Sequence, residues 1–170
     1  MTTKEISEEE AYNKLAALCS KSEHCPGELR LKMRRWQMDD DTCARVLQRL
    51  EEERFVDDTR YARFFSRDKS RFERWGRRKI EQSLMMKGIS RTAINTALSE
   101  IDDDVYVSSL QSLLKAKRKS LGGASQYERD AKLMRYALGR GFDMHIIRRC
   151  MDNDGDTCDG YDPCLDDYMP

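Results

Sequence analysis

Six apolar positions return twice along this chain, and that recurrence limits what it can fold into more than any other feature. Leu29, Met33, Met38, Cys43, Val46 and Leu47 fall, at an offset of 51 residues, on Ile80, Leu84, Ile89, Ile94, Ala97 and Leu98. A further offset of 53 brings Leu133, Ala137, Phe142, Ile147, Cys150 and Met151 onto the same positions. A period of about fifty residues marks a supersecondary unit that cannot bury its apolar face alone and stacks on its neighbours. Within each copy the apolar residues recur at three- and four-residue spacing, the period of a helix face, and no two-residue alternation competes.

Each copy reads as helix, short turn, helix, tight corner, helix. In the second and third copies the corner is Gly88-Ile89 and Gly141-Phe142, a glycine suited to a left-handed helix C-cap followed by an apolar residue that folds back onto the helix just left. Gln37 stands in the first copy where the others have glycine, so that corner is expected to be looser or differently capped. Helix starts are marked by Ser7, Asp39–Asp41, Asp57–Thr59, Ser90, Asp102–Asp104 and Asp143, groups that cap first-turn N–H groups and complement the helix dipole. Helices are expected over 7–21, 26–36, 40–53, 57–71, 75–87, 91–100, 104–120, 125–139 and 143–151. The expected fold is therefore all-α, three tandem three-helix, helix-turn-helix-like repeats forming an elongated curved body. The repeats are expected at 1–55, 56–101 (central and basic) and 102–151, with an acidic disordered tail over 152–170.

Composition suits a thin assembly, since only 39% of the 170 residues are apolar and 36% are charged. The 31 basic and 31 acidic residues cancel, but not locally. Residues 60–91 carry 11 basic against 3 acidic side chains, whereas 151–170 carry seven Asp and no base. The first ten residues are polar and acidic, unlike a secretion signal, and no segment has the apolar length of a membrane span, so a cytoplasmic protein with no membrane contact is expected. Cys19, Cys25, Cys43, Cys150, Cys158 and Cys164 show neither a CxxC nor zinc-finger spacing and are expected to be reduced thiols.

Basic residues of the centre interleave with Phe64, Phe65, Phe72 and Trp75, a pattern that can hold a phosphate backbone or an acidic protein surface, or can simply be a solvated face with its aromatics in the core. Trp75 lies at a turn where it either anchors a partner or closes the small core. No paired acids, phosphate loop or activated nucleophile is evident, and His24 and His145 have no partners for a triad or metal site, so neither an enzyme nor a metal or cofactor is expected. Asp152–Asp156 is superficially like a calcium loop but places Thr157 and Pro163 where the sixth-position glycine and twelfth-position glutamate belong. A solvated acidic tail that repels or mimics nucleic acid is the expectation for that segment.

The central unit resembles the RecX family, regulators of the bacterial RecA recombinase, in Asp57-Asp58, Tyr61-Ala62, Phe65, Arg71, Trp75-Gly76, Ile80, Leu84 and Lys87-Gly88-Ile89. Glu28–Lys32 with Leu47–Glu53 is similar to the family's first unit, and Arg140–Phe142 with Ile146–Arg149 to its third, together spanning about residues 8–151. The resemblance implies a modular protein without cofactor that binds RecA, lies in the groove of the RecA filament on single-stranded DNA, and restrains ATP hydrolysis, strand exchange or filament extension; a monomer is expected. Arg67, Arg71, Arg74, Arg77, Arg78 and Lys79, with Trp75, are the expected contacts to filament or DNA. The alternative is a sequence-independent DNA-binding protein that acts without recombinase.

Overall fold

In the computed structural model, residues 6–122 and 125–152 are described. Among them the chain forms nine α-helices: α1 (Glu8–Cys19), α2 (Pro26–Arg35), α3 (Asp40–Glu52), α4 (Asp58–Arg71), α5 (Arg77–Met86), α6 (Arg91–Ser99), α7 (Asp103–Lys119), α8 (Gln126–Gly139) and α9 (Met144–Asp152). Each boundary lies within two residues of the expected span, and the architecture is an all-α repeat fold. The expectations for residues 153–170 fall outside the described residues.

The helices pack in threes: α1 and α2 on α3, α4 with α5 and α6, α7 with α8 and α9. The first core gathers Tyr12, Leu15, Leu29, Met33, Val46 and Leu50, the second Tyr61, Ile80, Leu84, Ala93 and Ile94, and the third Tyr106, Leu110, Leu133, Phe142 and Ile147. Every one of the recurring positions is buried or packed against one of these cores. The cores do not follow the chain strictly, because Cys25, ahead of α2, is buried in the second core, and Val56, ahead of α4, in the first.

All three corners close with the same hydrogen bonds. The N–H groups of Met38, Ile89 and Phe142 donate to the carbonyls of Met33, Leu84 and Ala137, and those of Gln37, Gly88 and Gly141 to Arg34, Met85 and Leu138. These are Schellman motifs. Gly88 and Gly141 adopt φ +78° and +88°, and Gln37 adopts φ +61°. The first corner is thus capped like the others, with Gln37 accepting a left-handed conformation that costs an L-residue about 1–2 kcal/mol.

The corners also join the units. The N–H of Gly27, at the start of α2, donates to the Lys87 carbonyl that ends α5 (3.0 Å), and the N–H of Gly76, at the start of α5, donates to the Arg140 carbonyl that ends α8 (2.8 Å). At the second junction the Arg78 N–H also reaches the Gly141 carbonyl (3.1 Å). A Cβ at Gly27 would run into the Lys87 backbone, and one at Gly76 into the backbone of Gly141 and Phe142. The two capping residues here, Cys25 and Gly76, make no side-chain cap bond, because a neighbouring unit supplies the acceptor. By contrast, α8 closes its own start with a capping box between Ser125 and Glu128.

Charged groups bracket the first junction. Lys87 Nζ donates to Glu28 Oε1 at 2.7 Å, His24 Nδ1 lies 3.2 Å from Glu28 Oε2, and Arg60 Nε donates to Glu23 at 2.6 Å. Burial pushes the Glu28 carboxyl up, but hydrogen bonds from Lys87 and His24 outweigh it and hold the group below the usual carboxylate range.

Gly88→Ala should cost only the left-handed conformation, about 1–2 kcal/mol, since its Cβ meets nothing closer than 3.8 Å. Gly141→Ala adds a clash with Lys79 and should lose at least about 1 kcal/mol more, read as the difference in urea midpoints. A depressed carboxyl stabilises the fold above its unfolded pKa of about 4.3 and loses that contribution as pH falls through the folded value. Glu28→Gln should therefore destabilise by about 1 kcal/mol at pH 7, a figure reduced for partial exposure. The gap between the two proteins should close as unfolding is repeated toward pH 3.

Candidate functional site

The basic centre begins on α4, where Arg60, Arg63, Arg67 and Arg71 follow one another at helical spacing. Its first half is neutralised: Arg60 pairs with Glu23 at 2.6 Å and Arg63 with Glu100 at 2.7 Å. Arg67 and Arg71 are exposed and have no carboxylate within ion-pair distance among the described residues. They line a cleft with Arg63, Ser70, Ala97, Glu100, Ile101, Asp102 and Val105.

The turn after α4 then splits the aromatics. Arg74 takes a left-handed φ of +52°, and the Trp75 N–H returns to the Lys69 carbonyl at 3.0 Å, closing the turn. Phe72 is thrown outward, 80% exposed, while Trp75 is brought back half-buried. The Trp75 ring meets Phe65 edge-on with centroids 6.3 Å apart, and the ammonium groups of Lys79 and Lys69 lie 4.3 and 5.3 Å from its centroid. Lys69 is itself paired with Glu73 at 2.5 Å. Trp75 thus closes the core and seats two cations on its outer face.

Arg77, Arg78 and Lys79 open α5, which has no acidic residue in its first turn. Three cations at a helix start oppose the macrodipole. The opposition is relieved here because the carbonyl-bearing end of α8 abuts the same place. The three side chains then diverge. Arg77 donates to the Ile101 carbonyl (2.9 Å) and to Asp103 Oδ1 (2.6 Å) and lies 4.4 Å over the Tyr106 ring, so it fastens the second unit to the third. Its guanidinium holds the Asp103 carboxyl below the usual range, while burial pushes the Tyr106 hydroxyl up to about 12. Lys79 is occupied by Trp75, and of the three Arg78 alone is exposed with no ion pair among the described residues.

Of the seven residues singled out from the sequence, Arg67, Arg71, Arg74 and Arg78 present exposed guanidinium groups, Trp75 and Lys79 form a stack, and Arg77 is a junction residue. Three groups that the central segment alone does not contain complete the surface. Lys117 on α7 and Tyr136 and Arg140 at the end of α8 line a second depression with Phe72, Glu73, Arg74, Leu113, Ala116 and Ser120. The run Lys115-Ala116-Lys117-Arg118-Lys119 is the sequence signal that could have pointed there. Among the described residues no three His, Cys, Asp or Glu side chains gather as a metal site, and no helix is long and apolar enough to cross a membrane.

Comparison with known proteins agrees with this architecture. The family model described as the second three-helix domain of RecX matches residues 57–98, and that of the third three-helix domain matches 104–151. The regulatory protein RecX of Chlorobium phaeobacteroides (strain BS1) is 30% identical over 148 residues, covering 87% of this chain and 95% of the relative. That of Prosthecochloris aestuarii (strain DSM 271 / SK 413) is 32% identical over 142 residues, covering 84% and 91%. The crystal structure of RecX from Lactobacillus salivarius superposes with a TM-score of 0.75 at 20% identity, covering 86% of this chain and 95% of that one. At such identity the likeness speaks for the fold alone. A second crystal structure of a regulatory protein RecX gives 0.79 at 19% identity over 85% of this chain and 71% of its own. With its two glycine-cornered units each matched to a named domain of one family, and relatives at 30% and 32% identity covered over more than nine tenths of their length, the chain belongs to the RecX family of regulatory proteins.

Proposed function

We propose that the protein regulates RecA recombinase, binding RecA and its filament on single-stranded DNA and restraining ATP hydrolysis, strand exchange and filament extension, and with them DNA repair and the SOS response. The observation that carries this reading is the set of exposed guanidinium groups of Arg67, Arg71, Arg74 and Arg78, none with a carboxylate partner among the described residues, on the central unit of a RecX-family repeat. Guanidinium groups without internal partners are available to phosphates or acidic protein surfaces, and several weak contacts spread over linked units add to a firm one. The repeats supply positions for those contacts and need no chemistry of their own, so the protein acts as a binding regulator without cofactor.

Four reversals, Arg67→Glu, Arg71→Glu, Arg74→Glu and Arg78→Glu, spare Arg77 and therefore the junction to the third unit. In single-stranded-DNA-dependent ATP hydrolysis by the cognate recombinase, the parent chain should suppress turnover below one copy per recombinase subunit. The fourfold variant should need about tenfold more or fail, with helicity and melting unchanged. Undiminished inhibition would move the contact surface elsewhere. Tight binding to naked single strands without any effect on the recombinase would favour the sequence-independent DNA-binding reading. In that case the log–log salt slope should fall by about 0.7 for each phosphate-contacting arginine removed.

A further inference from the structure

The depression between the second and third units differs in chemistry from the cleft beside Arg67 and Arg71. Its apolar lining is Leu113, Ala116 and the ring of Tyr136, with the exposed ring of Phe72. Its lining also carries three cations, Arg74, Lys117 and Arg140. The Lys117 ammonium and the Arg140 guanidinium lie 5.1 and 5.6 Å from the centroid of Tyr136, and Arg140 is steadied by a bond to the Glu73 carbonyl at 3.2 Å. The one carboxylate in the lining, Glu73, is tied to Lys69. The cleft beside Arg67 instead includes Glu100 and Asp102, which repel an anionic chain.

Residues 153–170 have the complementary composition. They contain six Asp and no Lys, Arg or Glu, and place Tyr161, Leu165, Tyr168 and Met169 among the acids. The segment continues from the end of α9, which packs against both α7 and α8, the helices that line the groove. Eighteen residues can span about 60 Å when extended, against about 25 Å for the whole length of α7, so reach is not limiting. A tethered segment acts at an effective concentration of order millimolar, enough for a few ion pairs and one aromatic contact to hold it.

We propose that residues 153–170 dock in this groove, their carboxylates on Arg74, Lys117 and Arg140 and a tyrosine against Leu113, Tyr136 and Phe72. The docked segment covers Arg74 and so competes with any external anionic partner for that part of the basic surface. The inference stands on the groove and the composition of the segment, and does not require that the external partner be RecA.

The test compares amide NMR spectra of the full chain with those of the full chain carrying Asn at all six Asp positions between 153 and 170. Neither DNA nor recombinase is present, so the result is separate from that of the hydrolysis assay. Shifts concentrated at residues 72–74, 113–120 and 136–140, unchanged on about tenfold dilution, are expected. The unsubstituted chain should show the same shifts in about 1 M salt, where the screening length is about 3 Å. In an Arg74→Glu/Lys117→Glu background the six substitutions should produce none of them. Superimposable spectra overturn the proposal, as do shifts confined to the cleft of Arg67 and Arg71. Shifts that vanish on dilution would assign the groove to the acidic segment of a second copy and overturn the intramolecular form.

Discussion

The chain holds together at the points where one unit's helix corner meets the start of another unit's helix. At those points a backbone N–H at the start of α2 or α5 finds the C-cap carbonyl of α5 or α8, groups that a lone helix leaves without partners. The bond satisfies a donor and an acceptor together and sets the positive end of one helix dipole against the negative end of the next. Because backbone meets backbone, the approach leaves no room for a side chain at Gly27 or Gly76, and the corner residue that allows it at the second junction is Gly141. The capping pattern follows the same logic. Helix starts that dock on a neighbour dispense with a side-chain cap, and α8, against whose start no further corner packs among the described residues, carries Ser125 and Glu128.

Arginine serves two purposes on this scaffold, and geometry separates them. Arg60, Arg63 and Arg77 face carboxylates from other segments of the chain: Glu23 ahead of α2, Glu100 at the end of α6, and Asp103 on α7. Arg67, Arg71, Arg74 and Arg78 face outward without such partners among the described residues. Exposed ion pairs contribute little to stability one by one, so the unpaired arginines impose no large folding penalty and remain available to an external anion. The same division explains how so basic a segment as 60–91 can sit within one unit.

Among the described residues, three that are not glycine, Gln37, Arg54 and Arg74, adopt left-handed conformations at φ +61°, +60° and +52°. The first two close Schellman-type ends of α2 and α3. Arg74 lies in the basic surface itself, where its conformation turns Phe72 to solvent and Trp75 to the core. A strained residue held where the surface is most cationic and aromatic is a familiar attribute of binding sites, and here it makes one wall of the groove between the second and third units.

Periodicity along the chain was sufficient for the repeat, the helix spans and the cores, because burial of an apolar stripe at 3.6-residue spacing is a local property that each helix carries in its own residues. The turn glycines were legible for the same reason, and so was the family, since Trp75-Gly76 and Lys87-Gly88-Ile89 are contiguous. The fate of the individual cations was not. Arg77 and Arg78 are adjacent and chemically identical, yet one is consumed by Asp103 and the Ile101 carbonyl from beyond α6 while the other stays exposed. Likewise, Gln37 could be read only as a missing glycine, whereas the completed hydrogen bonds show it forced into the glycine's conformation. Composition decides that a segment is basic, but only the stacking of one unit on the next decides which charges meet a partner, because those partners lie about 25 to 70 residues away along the chain and arrive only through tertiary contact.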